Sequence, residues 1–124
     1  MEKFEGIQEG PLNLTRGERD GDIVIEFTGK SILRDPSEFL QPILFQVLEE
    51  AGEGGRRLVL DFRGLTYMNS STFTPLIKLL ERARTGDSKI TVIFGSDQKW
   101  QAVSFAALTI FTTSDGRVAI EGQG

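Results

Sequence analysis

The 124-residue chain contains no cysteine and no histidine, and only one tryptophan and one tyrosine. Without thiols there is no disulfide framework, no thiolate nucleophile, no redox pair and no iron–sulfur ligation. Without imidazole there is no Ser-His-Asp or Cys-His catalysis, no phosphohistidine relay and no zinc site of the usual histidine and cysteine kind. Long hydrophobic runs are missing as well. None approaches the roughly 20 residues that span a bilayer, and the polar start Met1-Glu2-Lys3-Phe4-Glu5 is unlike a secretion signal. The expectation is a cytoplasmic protein with no membrane partner, no metal and no cofactor. Hydroxyl, carboxylate, lysine and arginine chemistry remains.

What is present is a composition of 39% hydrophobic and 26% charged residues. A chain of this length buries about two thirds of its unfolded surface, enough for a core without staples. It reads as one domain over residues 1–124, with 1–11 and 122–124 as flexible ends. A net charge of -4 and a pI near 4.9 argue against nucleic-acid binding by phosphate neutralisation. The charge is uneven, however: residues 56–89 carry 7 basic and 3 acidic side chains. A mixed, solvated surface is the ordinary explanation. The sharper expectation is that Arg56, Arg57, Arg63, Lys78, Arg82 and Arg84 face an anionic partner.

Leu12 to Thr15 reads as an edge strand, Arg19-Asp20-Gly21-Asp22 as a turn and Ile23–Phe27 as a second strand, together a hairpin. Asp35 before Pro36 signals a helix start, and Leu40, Ile43, Leu44, Val47 and Ala51 form its apolar stripe. Pro42 kinks that helix or marks where its regular part begins, and Gly52, Gly54 and Gly55 end it. Leu58–Phe62 is a strand apolar enough to be buried on both faces, as in a sheet covered by helices. A second helix buries Phe73, Leu76, Ile77, Leu80 and Ala83. Ile90–Phe94 is the next strand, followed by a third helix capped by Ser96 or Asp97 and running through Trp100, Val103 and Phe105. Leu108–Thr112 and Val118–Ile120 read as strands. This alternation predicts an α/β fold in which a mixed sheet of four to six strands packs with three to four helices through right-handed crossovers.

The segment from Leu58 to Arg84, LVLDFRGLTYMNSSTFTPLIKLLERAR, carries the functional signal. A strand holding Asp61 leads through Tyr67 and Met68 to Asn69-Ser70-Ser71-Thr72 at the start of an amphipathic helix. Hydroxyls in that position ordinarily cap free amides. The same geometry favours a phosphoryl group, since a helix N-terminus presents N–H donors and a positive dipole end. Thr72, Pro75, Leu79 and Arg82 lie at helical spacing away from the buried stripe, so they are expected outward, with Leu79 partly exposed.

The pattern LVLDFRGLTYMNSS resembles the signature of STAS domains, the anti-sigma factor antagonist family, whose strand leads to Asp-Ser-Ser-Gly at a helix start. The order of elements is similar over most of residues 12–113. Two positions depart from the pattern: Asn69 stands in place of aspartate and Thr72 in place of glycine. The resemblance implies a partner switch. The unphosphorylated protein binds a Ser/Thr protein kinase of the histidine-kinase-like ATPase fold, of anti-sigma factor type; phosphorylation releases it, and a metal-dependent PP2C-type phosphatase reverses the mark. By position the acceptor is Ser70, with Ser71 as second choice and as its neighbouring cap. Asn69, Ser71, Thr72, Pro75, Leu79 and Arg82 are then partner contacts, and Asp61 is the supporting carboxylate of the strand.

Three other classes compete. Enzymatic chemistry lacks a fixed acid/base pair, because Asp61, Glu81 and Asp87 share no productive spacing and no histidine shuttles protons. A receiver domain phosphorylated on Asp61 needs an acidic pair after its first strand, and Phe27-Thr28-Gly29-Lys30 has none. A STAS-like interaction module acting without phosphorylation is the remaining alternative.

Overall fold

The computed structural model describes residues 5–124. Six strands form one mixed sheet: β1 (Gly6–Glu9), β2 (Leu12–Arg19), β3 (Asp22–Ser31), β4 (Arg57–Met68), β5 (Lys89–Gly95) and β6 (Val118–Gln123). Three helices connect them, α1 (Pro36–Glu53), α2 (Phe73–Thr85) and α3 (Lys99–Ala106), with 3₁₀ turns at Ser70–Thr72 and Ala107–Phe111. Strand order along the sheet equals chain order, β1 to β6. The first two pairings are antiparallel and the remaining three parallel.

That order fixes where the helices go. Crossovers of one hand that always step in the same direction land on the same face of a sheet. Leu40, Leu44, Val47, Leu48 and Ala51 of α1, Leu76, Leu79, Leu80 and Ala83 of α2, and Phe105 of α3 accordingly share one core with Ile23, Ile25, Phe27, Leu58, Leu60, Phe62, Ile90 and Val92. Leu58–Phe62 is buried on both faces as expected, but no helix covers the second face. There Val24, Val59 and Ile93 form a small separate cluster, and Asp61 is sheltered beside Arg63.

Local signals act where the sequence places them. Asp20 and Gly21 both have positive φ, 54° and 86°, which closes the β2–β3 hairpin with a two-residue turn between Arg19 and Asp22. The side chain of Asp35 accepts from the Glu38 amide at 3.3 Å, and Pro36 takes the first helical position. Pro42 sits inside α1 without ending it. Its missing N–H falls in the second turn, on the exposed side of the helix.

Elsewhere the structure corrects the sequence reading. β2 runs on to Arg19 and is not an edge, because β1 pairs outside it. Residues 6–9 and 122–123, expected in flexible ends, are paired strand; residues 1–4 of that expectation lie outside the described residues. The run 108–112 is not a strand. Leu108 turns into the core, and Thr109 and Thr112 donate their hydroxyls to the carbonyls of Ala106 and Thr109, at 2.7 and 2.8 Å, which holds a 3₁₀ turn. Neither Ser96 nor Asp97 caps α3. Gln98 occupies the cap position and gives its side chain to the Arg63 carbonyl at 2.7 Å.

Two further devices tie the helices to the strand ends. The buried Gln101 amide donates both of its protons, to the carbonyls of Phe62 and Leu65, and accepts from the Gly95 amide, at 2.7, 2.9 and 2.6 Å, so its nitrogen and its oxygen are both tied to the sheet. Near the middle of β3 the parallel register slips twice, between Glu26 and Thr28 and between Gly29 and Lys30. Gly29 makes the slip achievable: its φ is +87°, and a Cβ there would lie 2.0 Å from the Pro11 carbonyl oxygen.

Candidate functional site

β4 continues for 12 residues to Met68, well beyond the Leu58–Phe62 strand read from the sequence. Tyr67 pairs in register with Lys30 and Met68 with Ser31. The chain then turns through Asn69 into the 3₁₀ turn Ser70–Thr72, which passes directly into α2.

What holds this turn is a polar cluster, buried at Ser31 and Thr72 and half-buried at Asn69. The Asn69 amide N–H donates to the Ser31 carbonyl at 3.0 Å, and its side-chain Nδ2 donates to the Leu33 carbonyl at 3.0 Å. Thr72 Oγ1 donates to Asn69 Oδ1 in a short contact. Thr72 Oγ1 also lies 2.8 Å from Ser31 Oγ, and both residues are buried, at 4% and 1% exposure. Because the single Thr72 hydroxyl proton goes to Asn69, Ser31 is the donor of that bond. The loop after β3 and the loop after β4 are thereby pinned together.

Both departures from the Asp-Ser-Ser-Gly pattern sit in this cluster. An aspartate at 69 has no N–H for the Leu33 carbonyl. A glycine at 72 has no hydroxyl for Ser31 or Asn69. Asn69 and Thr72 thus complement each other, and both are turned inward.

Ser70 and Ser71 are turned outward. Both are exposed, and neither hydroxyl is hydrogen-bonded among the described residues. The expectation that Ser71 caps the helix is not met: no side chain caps the 3₁₀ turn or α2. Thr72 closes off the turn from below instead. The hydroxyls of Ser70 and Ser71 are left free, and the strand ends that lead into this turn carry two large exposed side chains, Tyr67 (49%) on β4 and Ile32 (56%) just after β3.

The remaining expected site residues are not brought here. Pro75 and Leu79 are buried, and so is Thr72, which removes the outward face read for them. The reason is that α2 packs against α1 as well as the sheet, so its buried arc is wider than one stripe; Phe73 and Ile77 form the partly exposed margin. Arg82 is exposed but lies roughly 18 Å along the helix from Ser70, paired at 3.5 Å with Glu49 and stacked 5.0 Å over the Phe45 ring. Asp61 is roughly 25 Å back along β4. Burial opposes its charge, but the Arg63 guanidinium, at 2.7 Å, and the Arg63 amide hold its carboxyl below the usual carboxylate range.

The anionic-partner patch dissolves in the same way. Arg56 pairs with Glu18 and Glu50, at 3.1 and 3.5 Å. Arg57 is turned into the carbonyls of Ile90, Gly116 and Arg117. Arg63 belongs to Asp61. Only Lys78 and Arg84 of the six lack a side-chain partner among the described residues. Sequence reasoning missed Ser31 and Ile32. Ser31 had no local signal, since its partner is 41 residues away; Ile32 could have been noticed as an isoleucine stranded between a strand and a helix cap.

No family model matches the sequence, and no curated protein matches it. Solved structures do. A crystal structure of an anti-sigma factor antagonist from Mycobacterium paratuberculosis superposes with a TM-score of 0.61 at 16% identity, covering 80% of each chain. The crystal structure of the diguanylate cyclase SiaD in complex with its activator SiaC, from Pseudomonas aeruginosa, contains a chain that superposes with a TM-score of 0.62 at 19% identity, covering 95% of this chain and 98% of that one. At these identities the likeness is one of architecture. A mixed sheet in chain order, helices on one face and a polar turn opening α2 together give this protein the STAS fold, shared with an anti-sigma factor antagonist and with a cyclase activator.

Proposed function

We propose that this chain is a non-enzymatic, cytoplasmic regulator that works by partner exchange. Unphosphorylated, it binds a Ser/Thr protein kinase of the histidine-kinase-like ATPase fold; phosphorylation of Ser70 releases it, and a PP2C-type phosphatase restores the first state. The observation that carries this reading is the exposed, unbonded Ser70 hydroxyl, held outward at the start of α2 by the Asn69–Thr72–Ser31 cluster. A phosphoryl group there adds about -1.5 to -2 charges to a small surface. It also meets the positive end of α2, an interaction worth about 0.3–1 kcal/mol. The fold therefore tolerates the modification while a partner docked on Tyr67, Ile32 and a neutral hydroxyl does not.

The test is incubation of the protein with ATP and the kinase that co-purifies with it, followed by intact mass and peptide mapping. A gain of one phosphoryl group that Ser70→Ala abolishes is expected. No gain, or a gain that persists in Ser70→Ala and maps elsewhere, removes the acceptor assignment. The likeness over nearly the whole chain to a cyclase activator supports a second reading, an interaction module that acts by binding alone. Under that reading the partner's affinity is the same for wild type and Ser70→Asp.

A further inference from the structure

Residues 100–114 contain no charged side chain, a 15-residue gap in a chain that is 26% charged. The gap covers nearly all of α3 and the 3₁₀ turn that continues it. One face of this unit packs inward through Gln101, Phe105 and Leu108. The other face is apolar and open. Val103 is 68% exposed, Ile110 is 71% exposed, and Ala106 and Ala107 between them are exposed too. Val103, Ala106 and Ala107 stand at i, i+3 and i+4 along α3 and its end, and Ile110 eclipses Ala107 one 3₁₀ turn later, so all four fall on one stripe. No core contact requires large apolar groups at 103 and 110, and solvent does not favour them.

The stripe reads the same in both directions, as large, small, small, large. We propose that it is a two-fold contact through which a second copy of this chain docks antiparallel. With the axis between Ala106 and Ala107, Val103 of one copy meets Ile110 of the other, twice, and the alanines let the backbones approach at the centre. Contacts about a two-fold axis must be self-complementary, and this pattern is. Charge points the same way. Two copies of a protein of net charge -4 repel each other over most of their surfaces, and charge depletion is the mark of an interface core. The stripe itself brings no charged side chain to the contact.

Its size sets the strength. One exposed face of about three turns falls below the roughly 800 Å² per partner of a stable complex. The dimer is therefore weak, with a dissociation constant of about 10–200 µM. It does not depend on the phosphorylation reading.

Sedimentation of the purified protein from about 5 to about 500 µM tests it, with the single tryptophan, Trp100, one turn before Val103 as a fluorescent reporter. A reversible monomer–dimer equilibrium is expected, unweakened by raising salt. Val103→Asp alone and Ile110→Lys alone should be monomeric with unchanged thermal melts, since both positions face solvent. Mixed together, these two variants should form a heterodimer, because antiparallel packing sets the new aspartate against the new lysine. Wild type that stays monomeric throughout overturns the proposal. So do a dimer that survives in both single variants and a mixture that fails to associate.

Discussion

Removing the Thr72 hydroxyl tests how the Ser70–Thr72 turn is held. Thr72→Val keeps the shape of a buried side chain and deletes one oxygen. Two groups lose their partner: Ser31 Oγ, whose proton points at Thr72, and Asn69 Oδ1, which accepts from it. A buried polar group left unsatisfied costs about 1–3 kcal/mol, against about 0.5–1.5 kcal/mol for a bond lost cleanly. Thr72→Val should therefore destabilise by about 2–3 kcal/mol. Ser31→Ala removes the donor and leaves Thr72 still bonded to Asn69, so its cost is about 1 kcal/mol. The double variant should cost less than the two singles together by about 0.5–1.5 kcal/mol, since no hydroxyl is then orphaned. Urea unfolding followed by circular dichroism measures all four proteins, with equal m-values showing that the same transition is compared. Thr72→Val should also lower the Tm by roughly 6–15 °C. Equal costs for the two single variants, or strict additivity, would refute the bonding order assigned to the cluster.

Gly29→Ala forces a Cβ to within 2.0 Å of the Pro11 carbonyl at a φ of +87°. A loss of at least about 3 kcal/mol, seen as a large drop in the urea midpoint, is expected; a loss below 1 kcal/mol would mean that the register slip in β3 survives without glycine. Asp61 has a lowered pKa, so its contribution is full above the unfolded value near 4 and fades as pH falls through the folded value. Asp61→Asn should lower stability by about 0.5–2 kcal/mol at pH 7, the partly exposed Arg63 limiting the effect. That difference should shrink below about pH 4, and a gap that stays constant from pH 7 to pH 3 would contradict the ion pair.

Much of this arrangement could be read from the sequence because its causes are local. Asp35 and Glu38 are three residues apart, Asp20 and Gly21 are adjacent, and the alternation of helices and strands needs no knowledge of what touches what. The errors are long-range. Leu79 looked exposed because a single stripe was assigned to α2, whereas α1 covers a second side of it. The arginines of residues 56–84 looked like a docking patch because a charge count does not show which guanidinium groups face backbone carbonyls. Arg117, in the same way, is spent on the carbonyls of Ala83, Arg84 and Ser88 at the foot of α2. The motif singles out Ser70 and Ser71, and both are exposed in the structure. The reason they alone point outward lies in Ser31, which no spacing rule connects to Thr72.

The unbroken order of the sheet has a consequence for how the protein is made. Each strand pairs with the strand before it in the chain, so a partner already exists whenever a new strand leaves the ribosome. Low sequence separation of pairings favours fast folding, and none of these pairings waits for a distant C-terminal strand to insert between earlier ones. The growing edge moves one strand at a time from β2 to β6. The pinning of Ser31 to Thr72 needs nothing beyond the start of α2, so the Ser70–Thr72 turn can form before the last strand has emerged.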